Sequence, residues 1–262
     1  MTSRDEIIYG NKFCNEFIDN NDVVFFHTSK INFNEIVSRD DESVVLITHN
    51  SDDCITDHHA NLMPRSVKKW FCQNKMTDHP KFEIIPLGIE NPYEALKSGH
   101  GVGYEKSIER LNLLSSSRYE NIKEENLIYA NFRLWTNPHH RTAVKKICVS
   151  HPHISFDEPN LSYDEFLKRI SSHQAVLCPQ GNGHGDNHRF WESIYCGRIP
   201  FTFNKNMYNS LYKYFPSVLV ESYEQLCNEE WIRAQIDEVK SKKYDPKYSK
   251  FSYWKSLIER HL

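Results

Sequence analysis

The residues best suited to chemistry lie in the segment LCPQGNGHGDNHRFWESIYCGRIPF (177–201). There an apolar run passes into the glycine-rich loop GNGHGDN, and Asp186 or Asn187 is a suitable cap for the helix that follows. Exposed backbone N–H groups and the positive end of a helix attract anions. Arg189 in the first turn adds a charge-assisted contact to a phosphate, and Glu192, one turn later, suits a ribose diol. The pattern predicts a diphosphate site, although a glycine-rich turn with a solvated Arg–Glu pair fits the same residues.

A second polar run, YANFRLWTNPHHR (129–141), begins in a strand-like stretch and ends where a helix is expected. Asn131 and Arg133 are placed to reach a diphosphate, and Arg141 opens the helix. Ordinary loop polarity is the alternative explanation for these side chains.

The segment SYDEFLKRIS (162–171) has the pattern of a capped helix start, in which Ser162 and Glu165 form a capping box. Tyr163 is then positioned to approach a nucleotide base. Capping alone also explains the segment.

The elements that position these residues alternate between β-branched runs and amphipathic stretches. In the first part of the chain, strands are predicted at 22–29, 43–51 and 81–89. Between the second and third, PRSVKKWFCQN (64–74) has Pro64 suited to a first helical turn, with Val67, Trp70 and Phe71 on one side. We therefore predict a helix there.

The later part of the chain repeats the alternation, with strands predicted at 126–134, 153–157, 175–180, 199–203 and 217–222. Strands separated by helices predict parallel, doubly wound sheets. The polar run after Pro92 breaks the rhythm. We predict a first lobe at 1–95, a linker at 96–125 and a second lobe at 126–248, with a helix at 249–262 that packs back on the first lobe. A cleft between the carboxyl ends of the two sheets is the expected ligand site.

Composition limits the possible partners. The 262 residues carry a formal net charge of -3 with both signs intermixed, which does not favour a general nucleic-acid binder. Seven cysteines without a CxxC pair indicate free thiols in a reducing compartment. No stretch has the ~20 apolar residues of a membrane span, and the N-terminus lacks a signal-peptide core. We expect a soluble, cytoplasmic protein without membrane insertion.

The 177–201 segment also resembles a family motif. Exostosin-like glycosyltransferases (family 47) carry a C-P-x-G-x-G…R-F-W-E block, which is matched here by Cys178, Pro179, Gly181, Gly183, Arg189, Phe190, Trp191 and Glu192. In the first lobe, LITHNSD (46–52), KKWFCQN (68–74) and IIPLGIEN (84–91) resemble the short, anchor-free members encoded by large algal viruses, which include a xylosyltransferase. The resemblance covers most of the chain.

This resemblance implies a GT-B fold, which is an α/β fold of two Rossmann-like lobes, and an inverting transfer with no required cofactor or metal. It implies a UDP-sugar as the donor, xylose as the sugar and a glycan as the sugar acceptor. The residues expected to bind the donor are Asn131, Arg133, Arg141, Tyr163, Gly181, Asn182, Gly183, His188, Arg189 and Glu192.

An inverting transferase needs a base that takes the proton from the hydroxyl of the sugar acceptor. The segment THNSDDCITDHH (48–59) in the first lobe follows a strand and offers several candidates. Asp52 closes the family-like T-H-N-S-D string and is the first choice, and His49 is the second. Asn50, Ser51 and Asp52 are also good turn formers, so a plain turn is the alternative.

Two rival functions fit parts of the sequence. GHGDNH (183–188) and TDHH (56–59) contain metal-ligand residue types, which suit a metal-dependent hydrolase, but neither has the spacing of HExxH or of a structural zinc site. A binding module that retains the nucleotide-sugar site without turnover is the second rival.

Overall fold

Two parallel β-sheets form the centre of the protein. The computed structural model describes residues 2–94, 106–119, 121–182 and 185–262. The first lobe contains helix α1 (Gly10–Glu16), strands β1 (Val23–His27) and β2 (Val44–His49), helix α2 (Asp57–Leu62), and strands β3 (Val67–Cys72) and β4 (Phe82–Ile84). The strands lie in the order β1-β2-β3-β4, and all pairs are parallel.

Helix α3 (Ser107–Leu114) precedes the second lobe, whose strands are β5 (Asn126–Ala130), β6 (Ile154–Phe156), β7 (His173–Cys178), β8 (Ile199–Thr202) and β9 (Val218–Leu219). The α-helices of this part are α4 (Pro138–Ser150), α5 (Tyr163–Ser171), α6 (His188–Tyr195), α7 (Lys205–Ser210), α8 (Tyr223–Cys227), α9 (Glu229–Ser241) and α10 (Phe251–Glu259). Short 3-10 helices lie at Arg4–Glu6, Thr28–Lys30, Phe33–Glu35, Ser117–Tyr119, Tyr212–Tyr214 and Pro246–Ser249.

The second sheet is also parallel and has the order β6-β5-β7-β8-β9. The order reverses between β5 and β7, and ligands of doubly wound sheets bind outside the carboxyl ends of the strands at such a point. Two Rossmann-like lobes with a cleft between them form the GT-B arrangement, so the predicted fold class is confirmed.

The predicted helix at 64–74 is wrong, because residues Val67–Cys72 form strand β3 between β2 and β4. Trp70 and Cys72 pack in one hydrophobic cluster, whereas Phe71 packs in another on the opposite face. This is the alternation of a strand. The spacing of Val67, Trp70 and Phe71 also fits one side of a helix, and periodicity alone does not separate the two for a short apolar run.

One hydrophobic cluster contains residues of both sheets and of α10, so the lobes share a core. Helix α10 packs on the first lobe: the Phe251 and Phe13 rings lie 5.1 Å apart, and the Ser252 N–H donates to Glu6. The lobe boundaries at 95 and 125 stay predictions. Within the described ranges, none of the helices has both the length and the apolar character needed to cross a membrane.

Candidate functional site

A cavity of about 570 Å³ lies between the lobes. Its first-lobe lining follows the carboxyl ends of the strands and consists of His27, Asn50, Ser51, Asp52, Asp53, Gln73, Leu87, Glu90, Asn91 and Tyr93. The second lobe contributes Phe132, Arg133, Trp135, Thr136, Arg141, Pro179, Gly181, Asn182, Asp186, Asn187, His188, Arg189 and Glu192. A volume of this size is typical of a small-molecule or cofactor site.

The second-lobe lining is concentrated at the switch point of the sheet. Residues 132–136 follow β5, and residues 179–182 follow β7. These are the two neighbouring strands at which the strand order reverses. Fold topology and cavity therefore indicate the same place for a ligand.

Arg141 on α4 holds this region together through backbone carbonyls. Its guanidinium donates to the carbonyl oxygens of Gln180 at 2.8 Å, Arg133 at 2.7 Å and Pro179 at 3.3 Å. No carboxylate pairs with it among the residues that the structure describes. Burial, and secondly the charge of Arg189, lower the pKa of Arg141 to about 10, so the group stays cationic at neutral pH. An anion in the cavity would meet a positive charge that no carboxylate of the described residues neutralises.

Arg189 and Glu192 form a buried ion pair on α6, with Nη1 2.6 Å from Oε2. Arg189 also donates to the Asn131 carbonyl at 3.1 Å. Burial favours a higher pKa for Glu192, but the charges of Arg189 and Arg110 outweigh it and hold that pKa below its ordinary value. Glu192 is therefore an ionised, acceptor-only group at the cavity wall.

Two of the expected donor contacts lie behind the wall. Tyr163 is 1% exposed and donates its hydroxyl hydrogen to Glu192 Oε1 at 2.9 Å, so it supports the carboxylate and does not line the cavity. Asn131 is fully buried, and its side-chain NH2 donates to the carbonyls of Asp157 and Glu158. The structure corrects both expectations, because Asn131, which follows β5, and Tyr163, at the start of α5, both direct their side chains into the lobe.

The other expected donor residues lie at the cavity. Arg133, Gly181, Asn182 and His188 line it together with Arg141, Arg189 and Glu192. His188 Nδ1 donates to the Gly88 carbonyl of the first lobe at 2.9 Å. Gly183 lies outside the described residues.

The start of α6 also joins the lobes. Asn187 caps the helix by accepting from the Phe190 N–H at 3.0 Å, which is one of the two predicted caps. The neighbouring Asp186 carboxylate accepts from Leu87 N of the first lobe at 2.9 Å, from Trp191 Nε1 at 2.7 Å and from the Tyr212 hydroxyl. Burial raises the pKa of Asp186 to about 6.

Asp52, the expected base, is exposed and lines the cavity from the first lobe. Its Oδ2 accepts a hydrogen bond of 3.1 Å from the Asn182 side chain of the second lobe. Asp52 and the loop after β7 therefore meet across the cleft, and the cavity arginines belong to the second-lobe side. Asp53 also lines the cavity, but its carboxylate accepts from Ser51 of its own loop.

The structure corrects the expectation that His49 acts as a base. His49 is fully buried, and its Nε2 lies 3.0 Å from the Pro86 carbonyl. Because a carbonyl only accepts, Nε2 carries the proton, and Nδ1 accepts the Asn50 N–H at 2.7 Å. Burial lowers the pKa of His49 to about 4. Both ring nitrogens are engaged inside the first lobe.

Several cavity residues were missed by the sequence argument. His27 ends β1, and its Nδ1 lies 2.8 Å from the Ser29 hydroxyl. Asn91 and Tyr93 follow the first sheet, and Trp135 follows β5 with 61% of its surface exposed. The available signal for Trp135 was its position just after the strand predicted at 126–134, whereas His27 lies near the end of the strand predicted at 22–29.

Metal-ligand residue types do not converge in the described part of the chain, where no group of three or more His, Cys, Asp or Glu side chains is arranged to hold an ion. Helix α2 contains Asp57, His58 and His59 of the TDHH segment, and His59 Nδ1 accepts from the Thr56 N–H at 3.2 Å. That histidine acts in helix capping.

No family model matches the chain, and no curated protein matches it. Among solved structures, it is similar to spinosyn rhamnosyltransferase SpnG complexed with thymidine diphosphate, with 11% identity and a TM-score of 0.36. The same enzyme complexed with spinosyn aglycone gives 10% identity and a TM-score of 0.35. Each comparison covers 83% of this chain and 63% of the other, so the chain spans less than two thirds of their length.

Proposed function

We propose that the protein is a glycosyltransferase that moves a sugar from a nucleotide-sugar donor to a glycan. The observation that carries the proposal is the half-buried guanidinium of Arg141 beside Arg189, which has no carboxylate partner among the described residues and lies at the switch point of the second sheet, across the cleft from Asp52. A double cation at this point suits a diphosphate.

On the donor side, Arg141, Arg189 and the start of α6 would hold the diphosphate, since both guanidinium groups and helix N-termini favour anions. Glu192 already accepts from Arg189 and Tyr163. A carboxylate has about four lone-pair positions, so it retains capacity for a ribose diol.

In the transfer step, a hydroxyl of the sugar acceptor attacks the anomeric carbon while the bond from that carbon to the diphosphate oxygen breaks. Asp52 takes the hydroxyl proton, and the two arginines stabilise the charge that develops on the departing diphosphate. Attack from the side opposite the leaving group inverts the anomeric carbon. The location of Asp52 and the arginines on opposite sides of the cleft supports this course.

The finer assignments rest on the motif resemblance described above. The exostosin-like block at 178–192 supports membership of that family, with UDP as the nucleotide and xylose as the sugar. Arg189 and Glu192, the charged members of the block, are the pair that faces the cavity.

A nucleotide-sugar screen tests the proposal. A ligand present at 100 times its Kd adds about 2.7 kcal/mol of stability, which a thermal-shift measurement detects. We expect UDP-xylose or another UDP-sugar to raise the melting temperature, and UDP release to follow when a glycan is added. No stabilisation by any nucleotide sugar would contradict the proposal.

The same screen separates the rival functions. A binding module would be stabilised by the nucleotide sugar but would release no UDP with any glycan. A metal-dependent hydrolase would lose activity on chelation and regain it with added metal, whereas the proposed enzyme should keep its turnover because arginines supply the positive charge.

A further inference from the structure

The first-lobe side of the cavity carries a group of side-chain amides linked by hydrogen bonds, the carboxamide cluster (Asn11, Asn50, Gln73 and Asn91). Asn50 donates to Asn11 at 2.8 Å, Asn91 donates to Asn50 at 3.0 Å, and the Asn11 backbone N–H donates to Asn91 at 2.7 Å. Gln73 accepts from the Asn50 N–H at 3.0 Å. Asn50, Gln73 and Asn91 all line the cavity.

The cluster is held in one arrangement. Asn50 has a φ of 62°, in the left-handed region that only a few residue types accept. The Asn50 N–H donates to Nδ1 of buried His49, which explains why a histidine precedes Asn50. A Cβ at Gly10 would lie 1.9 Å from Asn50 Oδ1, so only glycine fits beneath the cluster. Residues kept in such conformations concentrate at ligand sites.

Aromatic rings accompany the amides. Asn11 donates to the Tyr93 hydroxyl at 2.8 Å, and Tyr93 is 41% exposed at the cavity. Trp135 lines the cavity from the second lobe with 61% of its surface exposed. Amides both donate and accept, as sugar hydroxyls do, and ring faces cover apolar C–H surface.

The charges beside the cluster select among sugars. The exposed carboxylates Asp52 and Asp53 line the same side of the cavity, where Glu90 is paired with Arg110, and the described lining residues of the first lobe include no lysine or arginine. An anionic sugar would meet like charges there, and like charges at close range cost binding energy. A neutral sugar has no such penalty.

We infer that Asn50, Gln73, Asn91 and Tyr93 form the subsite of the sugar acceptor and that this subsite takes an uncharged sugar and rejects a uronate. The inference rests on the proposed function, and it places the reacting hydroxyl next to Asp52, two residues after Asn50 on the same loop. Asn50 and Asn91 bind hydroxyls, and His49 and Gly10 are positioning residues for Asn50.

Saturation-transfer NMR tests this on the full chain in the presence of UDP, with methyl β-xyloside, methyl β-glucoside and methyl β-glucuronide as probes. We expect signals from the two neutral glycosides and a glucuronide signal weaker by about fivefold. Asn91→Leu should reduce the neutral signals about fivefold, the effect of losing one or two hydrogen bonds. Asn209→Leu, at an exposed position on α7, should leave them unchanged.

Tyr93→Ala gives a second variant at a half-exposed position, in case Asn91→Leu does not fold. This variant should also reduce the saturation-transfer signals of the two neutral glycosides. Calorimetry with UDP runs in parallel, and absence of UDP binding to the wild type would count against the proposed function alone. The inference is overturned if neutral glycosides give no signal, if glucuronide gives an equal one, or if the variants weaken UDP binding and leave the glycosides unaffected.

Discussion

The two sides of the cleft differ in charge and in how they are held. The second-lobe side presents three arginines and the carboxylates Glu192 and Asp186, both of which are held by protein donors. The first-lobe side presents amides, the exposed carboxylates Asp52 and Asp53, and Glu90, which pairs with Arg110. One side suits a diphosphate, and the other suits neutral hydroxyls beside a base. The difference supports the proposal that the cavity takes two different substrates.

The charged groups of the two sides also differ in how firmly they are held. Arg141 is fixed by three carbonyls and Arg189 by an ion pair, so the cationic groups are preformed. Asp52 lies exposed on a loop, and its carboxylate accepts from Asn182 of the opposite lobe. The position of the Asp52 carboxylate therefore depends on its contact with the second lobe.

Removing the expected base should have the largest effect. Asp52→Asn keeps the size of the side chain and removes its basicity, so transfer should fall by the ~100- to 10,000-fold typical of a lost general base. UDP binding should survive, because its contacts lie in the other lobe. Steady-state transfer rates and UDP calorimetry measure the two effects.

Two matched variants distinguish proton transfer by Asp52 from its contact across the cleft. Asp53→Asn should matter far less, and Asn182→Ala removes the contact across the cleft while leaving the Asp52 carboxylate in place. If Asn182→Ala loses as much transfer activity as Asp52→Asn, then Asp52 acts as a positioning residue and not as the base. Near-normal turnover in Asp52→Asn with an inactive His27→Ala would move the base to His27.

Acid should weaken the first lobe through His49. Burial lowers the pKa of His49 to about 4, whereas an unfolded histidine titrates near 6.5. Between these values the unfolded chain binds a proton that the folded protein does not. The free energy of unfolding should therefore fall by about 2 kcal/mol as the pH drops from about 7 to about 5.

Urea unfolding of the wild type and His49→Gln at the two pH values isolates this contribution. His140 also lowers the free energy of unfolding as the pH drops, because burial lowers its pKa to about 4. Asp186 has the opposite effect on the free energy of unfolding, because burial raises its pKa to about 6. Only the difference between wild type and variant is attributed to His49. Parallel pH dependences in the two proteins would mean that His49 binds protons equally in the folded and unfolded states, which would contradict the expected effect.

A smaller effect, on UDP affinity, is expected for Glu192, and it tests whether this residue binds the ribose on the second-lobe side. If it accepts from the ribose diol, the wild type should bind UDP about tenfold more tightly than a 2′,3′-dideoxy analogue, and Glu192→Gln should lose most of that preference. Gln keeps the volume beside Arg189, whereas Ala would leave that buried arginine without its partner. An unchanged preference in the variant would remove Glu192 from the ribose site.

Much of the fold was predictable because strands of a parallel sheet are short, β-branched and flanked by turns. All eight predicted strands are present, and the start of α6 has one of the two predicted caps. Strand β3 was missed because Val67, Trp70 and Phe71 have the i, i+3, i+4 spacing of a helix face, and in so short an apolar run periodicity does not exclude a helix. The capping box of Ser162 and Glu165 was correct, since it depends on neighbouring residues alone.

The site was predictable where it depends on chain-local features and not where it depends on packing. Arg189 and Glu192 are adjacent on one helix, and their pairing follows from their spacing. The burial of His49 depends on Pro86, and the carboxamide cluster joins residues up to 80 positions apart. Such contacts between distant segments leave no periodic signal in one sequence.

Calorimetry with UDP on Arg141 variants tests whether the cationic side of the cleft binds a nucleoside diphosphate. We expect the wild type to bind UDP and Arg141→Met to bind it roughly 10- to 100-fold more weakly, the effect of a lost charge-assisted hydrogen bond. Arg233→Met, which removes an exposed arginine of α9, should bind like the wild type. Wild-type protein that does not bind UDP, or an Arg141→Met variant with unchanged affinity, would contradict the account.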